Sequence, residues 1–216
     1  MGYEPENTLL SFQKALECGV DMVELDARSC KTGQVMVIHD HKLERTTNGH
    51  GYVNKRPFEY IRSLDAGKGE KVPTLPEVLD LLAAKVDVNI EVKGKRTLKD
   101  ALHVCERYVQ EKGWRSEQFI FSTFFRSKLK KIAKYRSHFR VGALWGSFSY
   151  KFMSFAVKIK ADTLHVHKEI LNQEIIEQAH SRGLKVFVWT VNEKNDIKRF
   201  TKMGVDGIFS DYPDRI

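Results

Sequence analysis

Two carboxylates two positions apart, Glu24 and Asp26, followed by His39-Asp40 and later by Glu91 and Lys93, are the residues of this chain best placed to do chemistry. In an extended segment alternate side chains share a face, so Val23-Glu24-Leu25-Asp26 sets both acids on one side and turns Val23 and Leu25 into packing. Neighbouring carboxylates repel each other, and a protein keeps such a pair mainly where a cation neutralises it. Lys31-Thr32-Gly33-Gln34 reads as a turn that folds the apolar run 35–38 back and carries His39 towards the acids. His39 is then the candidate proton donor or acceptor, since imidazole changes charge near neutral pH. Ile90-Glu91-Val92-Lys93 repeats the pattern with one acid and one ammonium on a single strand face. Three oxygen ligands without a thiolate suit a hard divalent cation, Mg²⁺ or Ca²⁺, better than Zn²⁺. Lys93 is placed to meet a phosphate oxygen. Two plainer alternatives stay open: a hairpin with a solvated acidic face, and a surface ion pair between Glu91 and Lys93.

Those residues need elements to position them, and strand-like and helix-like segments alternate along most of the chain. Leu9, Phe12, Ala15 and Leu16 form a helical stripe, with Pro5, Asn7 and Thr8 as start signals and Gly19 closing it ahead of the acidic strand. The long passage 41–73 is rich in turn residues, and a loop of that length is expected to be functional or to carry short helices. Thr74-Leu75-Pro76-Glu77 opens a helix, with Thr74 as its cap. Leu98, Ala101, Leu102, Cys105, Tyr108 and Val109 make the clearest helical face. Strands are expected over 86–92, 119–122, 141–144, 163–166, 186–191 and 207–210, and helices near 127–135, 150–158, 172–181 and 193–203. Gly183 and Gly204 stand just past two of these helices, where a left-handed residue is wanted. With 35–39 taken as a hairpin excursion, seven strands remain that could be parallel. The pattern predicts an α/β chain of the TIM (β/α)₈-barrel type with its first strand apparently missing. Glu24, Asp26 and Glu91 then lie near the carboxyl ends of parallel strands, where barrel enzymes assemble their sites.

The 216 residues suffice for one large core, and no Pro- or Ser-rich linker divides them, so a single domain over 1–216 is expected, with 41–73 as an inserted loop region. No apolar run is long enough to span a bilayer, and the polar start Met1-Gly2-Tyr3-Glu4-Pro5 lacks a signal-peptide pattern. Cys18, Cys30 and Cys105 are too few and too irregular for a disulfide scaffold or thiolate metal site, and read as reduced residues of a cytoplasmic protein. The net charge of +8 is local: residues 118–161 contain no Asp or Glu, and outside that window 26 basic and 28 acidic residues give −2. This basicity could attract phosphates or an anionic membrane, or simply face water on outer helices. Nucleic acid is a poor fit, because the charge is confined and no recognised motif accompanies it. Phe148, Phe152 and Phe155 stand at i, i+4 and i+7 among lysines; a peripheral membrane contact through them ranks behind plain packing of an outer helix. His165 and His167 share a strand face and line a pocket or pack as satisfied histidines; the other histidines have no ligand spacing.

Taken in order, Pro5-Glu6-Asn7-Thr8, Glu24-Leu25-Asp26, His39-Asp40 and Leu43-Glu44-Arg45-Thr46-Thr47-Asn48-Gly49 resemble the signature of the glycerophosphodiester phosphodiesterase family. So do Pro73-Thr74-Leu75, Ile90-Glu91-Val92-Lys93, Ser122-Thr123-Phe124, Trp189-Thr190-Val191-Asn192, Gly204-Val205-Asp206-Gly207 and Ser210-Asp211-Tyr212-Pro213-Asp214. Each motif is weak alone; the ordered set spans essentially the whole chain and is strong. The resemblance implies a (β/α)₈ barrel that hydrolyses small glycerophosphodiesters to glycerol 3-phosphate and an alcohol, in lipid and glycerol metabolism. It implies a divalent cation held by Glu24, Asp26 and Glu91, with His39 as one of two acid/base histidines and Lys93 on the phosphate. Trp189 would wall the substrate pocket, where plain packing is the alternative for a strand-end tryptophan.

The departure lies at the start. Family members carry a strand ending in His-Arg-Gly a few residues ahead of Pro-Glu-Asn-Thr, supplying the other histidine and a phosphate-binding arginine. Here the sequence opens at Met1-Gly2-Tyr3-Glu4. The expectation is therefore a phosphodiesterase impaired by that loss, with Met1 an internal methionine or a boundary. The alternative is a truncated, non-catalytic relative that binds phosphodiester or lysophospholipid headgroups. The headgroup preferred and the oligomeric state are not legible in the sequence.

Overall fold

Apolar strand segments, alternating or continuous, and the amphipathic helical segments between them produce the expected succession of elements. The computed structural model of the chain describes residues 1–147 and 151–216, in two compact units, Met1–Phe119 and Ile120–Ile216.

In the first unit, helix α1 (Leu9–Glu17) starts at Thr8, whose hydroxyl accepts from the Ser11 amide while the Ser11 side chain accepts from the Thr8 amide. Strand β1 (Met22–Ser29) turns back into the short strand β2 (Val35–Val37), which pairs antiparallel with it from Ala27↔Val37 to Ser29↔Val35. On its other side β1 pairs parallel with β3 (Asp87–Val92), in register from Met22↔Asp87 to Ala27↔Val92. The hairpin excursion and the parallel strand following it are thus as expected, with β3 beginning one residue later than the sequence suggests. The 41–73 passage carries a 3₁₀ turn (Val53–Lys55) and helix α2 (Phe58–Ser63). It is tied down by its own apolar cluster, in which Leu43, Val53, Ile61, Leu64 and Val72 pack with Met36 and Ile38. Helix α3 (Leu75–Leu82) begins at Thr74, where Thr74 and Glu77 cap each other reciprocally, and α4 (Thr97–Glu111) buries Ala101, Leu102, Cys105 and Tyr108 along the anticipated face.

The second unit is a parallel run of β4 (Phe119–Thr123), β5 (Arg140–Trp145), β6 (Thr163–His167), β7 (Lys185–Trp189) and β8 (Gly207–Ile208), each paired with the next. Between them run α5 (Arg126–Ile132), α6 (Lys151–Lys158), α7 (Gln173–His180) and α8 (Lys194–Met203). The basic helix tightens to 3₁₀ after Ile132, and the last strand is shorter than its apolar pattern suggests. Gly204 ends α8 with a φ of 83°, the left-handed cap its position predicts. Gly142 has a different reason: a methyl there would lie 2.9 Å from His165 Cε1 and 3.0 Å from Ser122 Cβ, so only hydrogen fits between those side chains. The aromatic stripe of α6 packs inward. Phe152 is buried and stacked on Trp145, and Phe155 is half-buried; Phe148 lies outside the described residues.

Candidate active site

The register of β1 on β3 makes Asp26 the direct partner of Glu91 and puts Glu24 two positions back on the Asp26 face. One oxygen from each of Glu24, Asp26 and Glu91 lies within 4.8 Å of the other two. Asp26 and Glu91 are buried while Glu24 is exposed, so the trio is reachable from solvent on one side. Burial pushes the Glu91 carboxyl pKa up, against the pull of Lys93 and His39 and with the Asp26 charge adding to the rise.

Lys93 turns onto these acids. Its Nζ stands 2.8 Å from Glu91 Oε2 and 3.2 Å from Asp26 Oδ1, and its side chain is only 12% exposed. Burial disfavours the ammonium, but the two carboxylates outweigh that cost and leave its pKa raised. The Glu91–Lys93 contact is therefore no solvated surface pair; it is a buried bridge that also recruits Asp26.

His39 follows β2, and the strand-to-histidine step is pinned where the Ile38 amide donates to Asp26 O at 2.8 Å. Its Nδ1 is 2.6 Å from Asp40 Oδ1. Arg45 donates to both Asp40 oxygens, at 2.7 and 3.0 Å, and holds the Asp40 carboxyl far below the usual carboxylate range, with His39 contributing. An ionised carboxylate only accepts, so Nδ1 carries a proton, and in the neutral ring that tautomer places the lone pair on Nε2. Arg45 is itself gripped by Glu6 at 2.6 and 2.8 Å, which raises its pKa further.

Three further residues shape the site without having been singled out for a role by spacing. Asn7, at a φ of 55°, donates from Nδ2 to Asp26 Oδ2 at 2.9 Å and accepts from the Asp26 amide at 3.2 Å. Asparagine is one of the few side chains that adopt this left-handed geometry readily. Arg28, next along the Glu24/Asp26 face, donates from Nε to His39 O at 2.8 Å; burial lowers its pKa while Asp26, Asp40 and Glu91 oppose that. Glu6 acts through Arg45. The signal available for Arg28 was its i+2 spacing from Asp26. For Asn7 and Glu6 there was only their place in a motif.

Trp189 belongs to the second unit. It ends β7, donates from Nε1 to His165 O at 3.1 Å, and meets Phe124 and His167 edge-on with ring centroids 5.4 and 4.7 Å away. His165 is buried, accepts or donates at Nε2 to Thr163 Oγ1 at 2.8 Å, and stacks on Phe187.

The carboxylate trio passes a test of fit for a hard cation. It offers oxygen donors alone, one of them solvent-facing, and two of them already attract a positive charge, the Lys93 ammonium.

The profile of the glycerophosphoryl diester phosphodiesterase family matches residues 1–215. A glycerophosphodiester phosphodiesterase of Caldanaerobacter subterraneus subsp. tengcongensis is 36% identical, over 98% of this chain and 90% of its own. A protein of Homo sapiens named lysophospholipase D is 24% identical, over 100% of this chain and 82% of its own. Among solved structures, a phosphodiesterase of Oleispira antarctica in complex with the product sn-glycerol-3-phosphate superposes with a TM-score of 0.90 at 26% identity, covering 100% of this chain and 91% of that one.

Proposed function

This chain belongs to the glycerophosphoryl diester phosphodiesterase family and has its TIM-type α/β fold, and on that premise we propose that it is a cation-dependent phosphoric diester hydrolase releasing glycerol 3-phosphate and an alcohol from small glycerophosphodiesters. The observation that carries the reading is the convergence of Glu24, Asp26 and Glu91, from two paired strands, within 4.8 Å. These three would hold the ion, Mg²⁺ or Ca²⁺. When bound, it supplies charge neutralisation at the phosphate and orientation of the attacking hydroxyl, which the resemblance assigns to the substrate's own glycerol. Lys93 is the phosphate contact, drawn from the acids to the substrate's anion. His39 moves the proton at Nε2, with Asp40 holding Nδ1 and Arg45 and Glu6 holding Asp40. Trp189 is retained as a substrate contact on the resemblance alone, and the two units are read as one catalytic domain because one family profile spans both.

The family's His-Arg-Gly would supply the second acid/base histidine, and such groups contribute about 10²–10⁴-fold each. The test is glycerol 3-phosphate release from glycerophosphocholine, with added Mg²⁺ or Ca²⁺ and with chelator. It is run on this polypeptide and on one preceded by a strand ending in His-Arg-Gly. Chelation and Glu91→Gln must each abolish turnover in the longer form, and saturating cation must raise the melting temperature of the parent but not of Glu91→Gln. Turnover in the longer form that is indifferent to both would end the cation reading. Involvement in lipid and glycerol metabolism in the cytoplasm belongs to the same proposal; Cys18, Cys30 and Cys105 are all free thiols, in keeping with a reducing compartment.

A further inference from the structure

The chemistry above uses none of the basic surface of the second unit. Residues 118–161 hold ten Lys and Arg and no acid, and the structure gathers part of that charge on one helix face. Helix α5 buries Leu129 and Ile132 at i and i+3, which leaves Arg126, Lys130 and Lys131 pointing outward. Lys134 and Arg136 continue the exposed basic run in the turn that follows.

Immediately before the helix stand Phe124 and Phe125, 37% and 56% exposed. Charged helices are routine, but two adjacent exposed phenylalanines at the head of one are not. The rim extends to α6, where the Arg126 guanidinium lies over Phe152 and Phe155 at 5.6 and 5.3 Å and Val157 and Lys158 are exposed.

We propose that this face docks the protein on an anionic membrane, with Phe125 and Phe124 entering the headgroup boundary and Arg126, Lys130, Lys131 and Lys134 drawing the anionic headgroups. Charge complementarity selects the partner's sign, and the state of the rings selects lipid over nucleic acid. A base-stacking platform needs an uncovered ring face. Here Lys128 Nζ already sits over Phe125 at 4.5 Å, and Phe124 is engaged edge-on by Trp189. Insertion into lipid needs only apolar area beside cations. The inference uses the second unit alone and goes beyond the phosphodiesterase reading without depending on it.

The experiment is co-sedimentation of the 216-residue chain with phosphatidylcholine vesicles, with and without phosphatidylglycerol, at roughly 0.05 M and 0.5 M NaCl. Binding is expected only with phosphatidylglycerol, and to fall at least about tenfold at the higher salt. Each basic side chain at an anionic surface contributes a factor of about five, so Lys130→Glu/Lys131→Glu should weaken binding more than about 25-fold. Phe125→Ser should weaken it about tenfold, both variants keeping the parent's thermal unfolding because all three side chains are surface-placed. The proposal is overturned by equal binding to neutral vesicles, by no binding to anionic ones, or by folded variants that bind like the parent. Tighter binding to a single-stranded oligonucleotide than to anionic vesicles overturns it as well.

Discussion

Acidification should draw stability from this protein through His165 before its ordinary carboxylates begin to titrate. The ring is fully buried between Phe187, stacked at 5.2 Å, and Phe209 at 5.3 Å. Its Nε2 meets Thr163 Oγ1, but Nδ1 has no hydrogen-bond partner. Burial, with help from the Arg140 charge, lowers its pKa from 6.5 to about 3. An imidazole depressed in the folded state is neutral in both states above pH 6.5 and costs nothing there. Below 6.5 the unfolded chain takes a proton that the folded chain refuses, so stability falls by about 1.4 kcal/mol per pH unit until the folded pKa is reached. Between pH 7 and pH 5 the loss from this residue is about 2 kcal/mol, in a window above the ordinary carboxylate range. The perturbation is His165→Gln, which keeps a polar group near Thr163 but does not titrate. The assay is urea unfolding followed by tryptophan fluorescence at closely spaced pH values, since Trp145 and Trp189 lie in the same unit as His165. The variant will be less stable near neutrality, and the gap between it and the parent should close by about 2 kcal/mol on going to pH 5. A gap that stays constant from pH 8 to pH 5 would refute the reasoning, because the parent's ring would then be protonating in the folded protein as freely as in the unfolded one.

Removing the proposed proton carrier with His39→Ala should cut turnover of the His-Arg-Gly-extended form by about 10²–10⁴-fold, and full retained activity would remove His39 from the mechanism. Asn7→Ala should raise the cation concentration needed for half-maximal turnover by about 10–100-fold, as loss of a group that orients a ligand does. Asn7→Gly, which suits the positive φ, must show the same rise if the hydrogen bonds to Asp26 rather than backbone strain are responsible. Thr74→Ala deletes one half of a reciprocal cap on α3 and should cost about 1 kcal/mol, read as a melting temperature lower by about 2–4 °C.

A period of two made the strands around 23–26, 88–92 and 163–167 visible beforehand, whereas 119–121 and 186–188 showed as short continuous apolar runs whose residues are buried on both faces. The same period put Glu24 with Asp26 and Glu91 with Lys93, and pairing of β1 with β3 did the rest. What spacing could not reveal was the set of contacts that crosses loops. Asn7 reaches Asp26 and Arg45 reaches Glu6 through positions set by tertiary folding, and nothing periodic links those residues. The plainer reading of Lys93 as half of a surface pair fails because a local pattern does not report depth. Periodicity was likewise silent on which phenylalanines meet water. The stripe through Phe152 turns inward, whereas Phe124 and Phe125, adjacent and aperiodic, stand outside. The 41–73 passage reads as a loop because its apolar residues follow no single period, yet Leu43, Val53, Ile61 and Leu64 still find a shared interior.

Lys93 has one consequence for how this corner of the protein comes into being. A tethered ammonium shared between Asp26 and Glu91 relieves most of the mutual repulsion that would otherwise resist bringing the strands into register. Maturation of the pocket therefore need not wait for anything dissolved in the medium, and a polypeptide prepared in chelator should refold with its strands correctly paired. Under the proposed function, loading a cation would exchange one positive charge for another, and the amine so displaced would be the group that a phosphate next encounters.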